Sequence, residues 1–155
     1  MPAFRDTLPM LLNITLDGVM PVYRELFARH GLTEQQWRVL RVLWSEGPVT
    51  TTHLSRQTLL PAPSLVGILD RLQSKGLIDR ERQATDRRKV HVAVTDKGRT
   101  LHDRVMPDLT QIHDRVTSAV DPVEWQAMAA TLARITGAMQ GLTLDSILSE
   151  QEETA

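Results

Sequence analysis

Apolar positions from residue 8 onward recur in a roughly helical rhythm. Leu8, Leu12, Leu16, Val19, Met20, Leu26 and Phe27 predict one helix over 8–29, kinked at Pro21 and stopped by His30 and Gly31. Thr33 then stands three residues before Gln36, the spacing of a capping box, and Trp37, Leu40, Leu43 and Trp44 carry a second helix to Gly47 and Pro48. Threonines before His53 and Leu54 cap a short third helix. Pro61 and Pro63 break it, with Pro63 placed as the first residue of a fourth helix that runs to Gly76. Leu65, Ile68, Leu69 and Leu72 form the buried stripe of that helix, so Ser64, Gly67, Asp70, Arg71 and Ser74 face away from it. Two short helices with a tight break between them read as a helix-turn-helix.

After Gly76 the period changes from helical to alternating. Val90, Val92 and Val94 alternate with Lys89, His91 and Ala93, and "LIDRERQ" and "KVHVAVT" flank the tip "ATDRR", which predicts a β-hairpin directly behind the second helix of the pair. Thr95 caps a long helix softly broken at Pro107, and Asp121 with Pro122 opens another. In the latter, Trp125, Met128, Leu132, Ile135, Met139 and Leu142 make a heptad-like seam. The helices at both ends lie outside a compact winged-helix unit, and their apolar faces call for cover from a second copy of the chain. The expected organisation is an N-terminal dimerisation helix over 1–32, a winged helix-turn-helix over 33–98, C-terminal dimerisation helices over 99–148 and a frayed tail over 149–155. The fold class is mainly α with a small β-hairpin wing.

Composition adds limits. At 155 residues, 41% apolar and 24% charged, the chain suits one folded domain with a proper core. No run approaches the roughly 18 to 20 apolar residues that span a bilayer, and "MPAFRDTLPM" does not read as a secretory signal, so a cytoplasmic protein without membrane contact is expected. The absence of cysteine excludes thiol chemistry, disulfides and Cys-type zinc sites.

The net charge of -1 conceals a gradient: six basic and six acidic residues in 1–70, nine and four in 71–99, three and nine in 100–155. Such a basic segment in an otherwise acidic chain is the footprint of a local polyanion contact. A basic hairpin after a helix-turn-helix reads as a wing lying against a phosphate backbone. A winged helix that binds only proteins would have little use for Arg87, Arg88 and Lys89 at the tip.

These segments together resemble the MarR (multiple antibiotic resistance regulator) family of bacterial winged-helix transcription factors. The resemblance covers about residues 8 to 142. It rests on "LTEQQWRVLRVL", "LDRLQSKGLIDR", the wing-tip run Asp86-Arg87-Arg88, the valine strand, and Thr95-Asp96-Lys97-Gly98. "LTEQQWRVLRVL" and the proline-serine start of the fourth helix are also similar to the branch that represses homoprotocatechuate degradation operons.

The resemblance implies a homodimer on a pseudo-palindromic double-stranded DNA operator. Arg88 matches the wing-tip arginine of the minor groove, flanked by Arg87 and Lys89, and Asp86 and Arg80 match the pair that stiffens the wing. A guanidinium on a narrow loop suits a minor groove of strong negative potential. Ser64, Val66, Gly67 and Arg71 occupy the major-groove positions, with Thr52 and Pro63 completing the DNA face. Val66 and Gly67 depart from the polar Thr and Arg common there, which implies sparse hydrogen-bond readout. Effectors of the family sit in a crevice between dimerisation helices and winged helix. Here Trp37 and Leu40 are the expected apolar wall, and Arg24, Arg38 and Arg41 the groups to meet the carboxylate of a small aromatic or phenolic acid.

Other classes have weaker support in the residues. His102 and His113 lie eleven residues apart, about 16 Å along a helix, too far to share one metal, and read as surface histidines beside aspartates. A zinc-responsive regulator is therefore the lesser alternative. No phosphate loop, nucleophile elbow or HExxH motif is present, and neither an enzyme nor a bound cofactor is expected.

Overall fold

A computed structural model of the protein describes residues 2–82 and 90–152. The chain divides into two compact units, residues 1–113 and 114–155.

In the first unit, a short 3-10 turn (Phe4–Asp6) precedes α1 (Leu8–Arg29), α2 (Glu34–Glu46), β1 (Val49–Thr50), α3 (Thr51–Thr58), α4 (Ala62–Ser74), β2 (Ile78–Arg82), β3 (Val90–Val94) and α5 (Asp96–Thr117), which belongs to this unit as far as His113. The capping box forms as expected: the Gln36 amide donates to Thr33 Oγ1 and the Thr33 amide to Gln36 Oε1, both at 3.2 Å. Pro21 is accommodated inside α1. α4 begins one residue earlier than expected, with Pro61 at its N-cap and Pro63 one residue inside the first turn.

The wing is more than a hairpin. β1 adds a third strand, giving the antiparallel order β1-β3-β2, with Val49 opposite Val92, Thr50 opposite His91 and Arg80 opposite Val92. Of the alternating valines only Val92, at the middle of the central strand β3, is fully buried, while Val90 and Val94 at its two ends are half-buried. A two-residue strand carries too little alternation to be seen in sequence, and its threonines read as caps alone.

One core joins these elements. The α4 stripe Leu65, Ile68, Leu69 and Leu72 packs with Val39, Leu40 and Leu43 of α2, Leu54 of α3, Ile78 and Val92 of the wing, and also Leu26 and Phe27 of α1 and Leu101 and Val105 of α5. The core therefore crosses both expected limits of the winged helix, at 32/33 and at 98/99. Where the wing meets α5 the packing is close enough to leave no room for a β-carbon at Gly98. The Thr95 hydroxyl donates to the Gly76 carbonyl at 2.7 Å, the Thr95 amide to the Leu77 carbonyl at 3.1 Å, and Trp44 Nε1 to the Gly98 carbonyl at 3.2 Å.

In the second unit, α6 (Pro122–Met139) starts with a capping box between Asp121 and Glu124, and none of its residues is buried. The seam stops at Met139 instead of reaching Leu142: Gly141, at a φ of +80°, turns the chain, and Thr143 and Ser146 cap one another's amides to start α7 (Leu144–Glu152). Residues 149–152, expected as a frayed tail, are thus helical.

Candidate nucleic-acid interface

α3 and α4 are set by the turn between them. Leu59 ends α3 in the left-handed region, at a φ of +57°, with its side chain 83% exposed, while Leu60 turns into the core and its carbonyl accepts the Ser55 hydroxyl at 2.7 Å. With the leucine stripe buried, α4 turns Pro63, Ser64, Val66, Asp70, Arg71 and Ser74 to the exterior, with Gly67 half-buried among them. Val66 is 56% exposed. The Arg71 guanidinium folds back beside Gly67.

Arg80 couples wing to helix. From β2 its Nη2 pairs with Asp70 Oδ1 at 2.5 Å and its Nε donates to Gln73 Oε1 at 2.7 Å, both on α4. The expected partner Asp86, and the tip residues Arg87, Arg88 and Lys89, lie outside the described residues. Thr52, Val66 and Arg80 come together on a cleft of about 400 Å³ between α3, α4 and the wing strands, with Arg56 on the same wall. Sequence reasoning missed Arg56, although it lies four residues after Thr52 and hence on the same face of α3.

The proposed effector residues separate. Trp37 and Arg41 of α2 line a second cleft, about 340 Å³, whose other walls are Tyr23 of α1 and Met106, Leu109, Thr110 and His113 of α5. Trp37 is held there by stacking on Phe27, 4.8 Å between centroids, and by the edge of Trp44 at 5.4 Å. Leu40 is fully buried in the core and is not on this cleft, since the same helical stripe that carries it faces α4.

Arg24 and Arg38 converge on Glu34, at 3.2 and 2.6 Å, instead of facing the cleft. Burial alone would raise the Glu34 carboxyl, but the hydrogen bonds and charges of Arg38 and Arg24 outweigh it and hold the group below its ordinary value. Arg41, by contrast, makes no ion pair among the described residues. His113 is exposed on the cleft rim, and His102 is half-buried with its ring edge-on to Trp44.

A helix-turn-helix whose second helix leads into a strand pair clamped against it defines a winged-helix DNA-binding regulator. The chain belongs to the MarR family of transcriptional regulators, and residues 30–89 match that family. It is 30% identical over 128 residues to the homoprotocatechuate degradative operon repressor of Escherichia coli, covering 82% of this chain and 86% of the relative. It is also 30% identical over 100 residues to the regulator FarR of Neisseria gonorrhoeae, covering 64% of this chain and 68% of that one. Among solved structures, the transcriptional repressor CouR bound to a 23-mer DNA duplex superposes with a TM-score of 0.77 at 27% identity, over 88% of this chain and 98% of that one. No helix among the described residues is long and apolar enough to cross a membrane.

Proposed function

We propose that this regulator is a homodimeric repressor that sits on a pseudo-palindromic operator and is released from it by a small aromatic or phenolic acid. The observation that carries the effector half is the α1–α2–α5 cleft: an aromatic wall of Trp37 and Tyr23, apolar Met106 and Leu109, and one cation, Arg41, free of ion pairing among the described residues. That combination suits a planar ring bearing a carboxylate. The name of the Escherichia coli relative, a repressor of an aromatic-acid degradation operon, supports the same class of ligand.

The dimer is supported by apolar surface that one chain leaves open. Leu11, Leu12 and Leu16 of α1 and Val123, Met128, Ile135 and Met139 of α6 are all exposed. On DNA, α4 enters the major groove with Ser64, Val66, Gly67 and Arg71 towards the bases, Thr52 and Pro63 beside them, and Arg80 and Asp86 brace the wing. Arg88 supplies the minor-groove guanidinium, with Arg87 and Lys89 on the phosphates.

Titration with hydroxyphenylacetate, homoprotocatechuate and salicylate, followed by tryptophan fluorescence and gel shift together, tests this. A coupling of about 1 to 3 kcal/mol would weaken operator binding by roughly 5- to 150-fold, and operator DNA must weaken ligand binding by the same factor. Arg41→Ala removes the response to the acids while leaving operator affinity intact. Acids that bind only above millimolar, or that bind without changing operator affinity, would refute the effector. An unchanged dissociation constant for Arg88→Ala would refute the wing contact.

A further inference from the structure

We infer that α4 recognises its half-site through the 5-methyl groups of thymine, read by Val66, with Gly67 bringing the helix backbone close to the groove floor. The inference rests on the reading that α4 meets the major groove, and it specifies what α4 looks for there.

Direct readout by hydrogen bonds needs long polar side chains: Arg or Lys on guanine, Asn or Gln on adenine. Over the first two and a half turns of α4, residues 62–70, the only side-chain donor is the Ser64 hydroxyl. Asp70 is the one acceptor there besides it, and its carboxylate is taken by Arg80. Arg71, the one long donor on this face, comes only in the last turn, with its guanidinium beside Gly67. What the exterior of this stretch presents instead is Pro63 and Val66. A valine 56% exposed at the centre of a DNA-facing surface gains only where it meets another apolar group, and thymine is the one base with such a group on its major-groove edge.

Gly67 supplies the second observation. A β-carbon there would meet nothing nearer than Arg71 Nη2 at 3.8 Å, so the fold leaves room for alanine, and alanine would strengthen the helix. Its φ is an ordinary helical one, since it is absent from the positive-φ glycines. A glycine that neither packing nor backbone conformation requires, on the exterior line of α4 between Pro63 and Ser74, is explained by close approach of the backbone to whatever lies in front of it.

The test uses the full-length protein and a site selected from a random duplex pool. Each thymine of the selected half-site is replaced in turn by deoxyuridine, which removes the methyl group and nothing else. One or two positions are expected to lose about 4- to 10-fold in affinity, the worth of one buried methyl. Val66→Ala, checked by its melting curve, abolishes the deoxyuridine effect at one of those positions. Gly67→Ala raises Tm by about 2–4 °C yet weakens binding at least tenfold, roughly one methyl's displacement of the whole helix.

Affinity within twofold at every substituted thymine, a selected half-site without thymine, or a Val66→Ala protein that keeps the full effect would each overturn the inference while leaving DNA binding in place. A pool from which no sequence is enriched would instead remove the DNA-binding reading, and this inference with it.

Discussion

Alanine at Gly98 should destabilise the protein although alanine is the better helix former. Gly98 is the third residue of α5 and is buried. A β-carbon there would collide with the Leu77 carbonyl oxygen and with Val94 Cγ1, the first of which is backbone and has no rotamer to escape into. Helix propensity favours alanine by about 1 kcal/mol. Against it stand overpacking of about 1–3 kcal/mol and about 1 kcal/mol each for the displaced Trp44–Gly98 and Thr95–Gly76 hydrogen bonds. The net is a loss of about 2–4 kcal/mol. For a chain of this size that corresponds to a Tm lower by about 4–16 °C. Thermal denaturation followed by circular dichroism, at matched protein concentration because the Tm of any self-associating chain depends on it, measures the change directly. Gly67→Ala is the internal control, since the same chemical change there meets only an ordinary van der Waals contact with Arg71 Nη2 at 3.8 Å and carries the opposite sign. A Gly98→Ala protein melting at or above the wild type would show that the wing and α5 do not meet at this contact.

Three further outcomes follow from other contacts. Glu34→Gln should cost about 0.5–1 kcal/mol at pH 7, measured by urea unfolding. Because the Glu34 carboxyl is held below its ordinary value of 4.5, the wild type's advantage is complete above that pH, fades as pH falls through the depressed native value and is absent below it. An advantage that grew on acidification would contradict the assignment. Leu59→Gly should raise stability by about 1 kcal/mol, since glycine adopts the left-handed turn without the cost a β-carbon imposes, and calorimetry reads it as a higher Tm. Arg80→Ala should lower Tm by no more than about 4 °C but weaken operator binding about tenfold in fluorescence anisotropy, and Arg80→Lys should fail to rescue it because an ammonium cannot hold Asp70 and Gln73 in one fork.

Much of the winged helix was legible in the sequence because its signals are local. The Thr33–Gln36 box, the leucine stripe of α4 and the valine period of β3 each depend on spacing within one element. The cleft was half legible. Trp37 and Arg41 stand on one helix, but Tyr23 on α1 and Met106 and Leu109 on α5 join them only through tertiary packing, which no local period encodes. Leu40 was assigned to the wall although it shares a three- and four-residue rhythm with Leu43, and that rhythm is the core's. The arginines carried a warning of their own: Glu34 lies four residues before Arg38, the spacing of a helical ion pair, so the carboxylate they meet is internal.

Thr50 holds two structures closed at once. Its backbone pairs with His91 as the end of β1, and its hydroxyl accepts the His53 amide as the N-cap of α3. The sheet edge and the first turn of the helix that packs against α4 therefore share a single residue, and neither can open without loosening the other. In native-state hydrogen exchange, the amides of His53 and of the β1–β3 ladder should therefore open as one cooperative unit with one opening free energy. The base of the wing is in this sense not an appendage to the helix-turn-helix but part of the same lock, and a change that frays one will be recorded in the exchange of both.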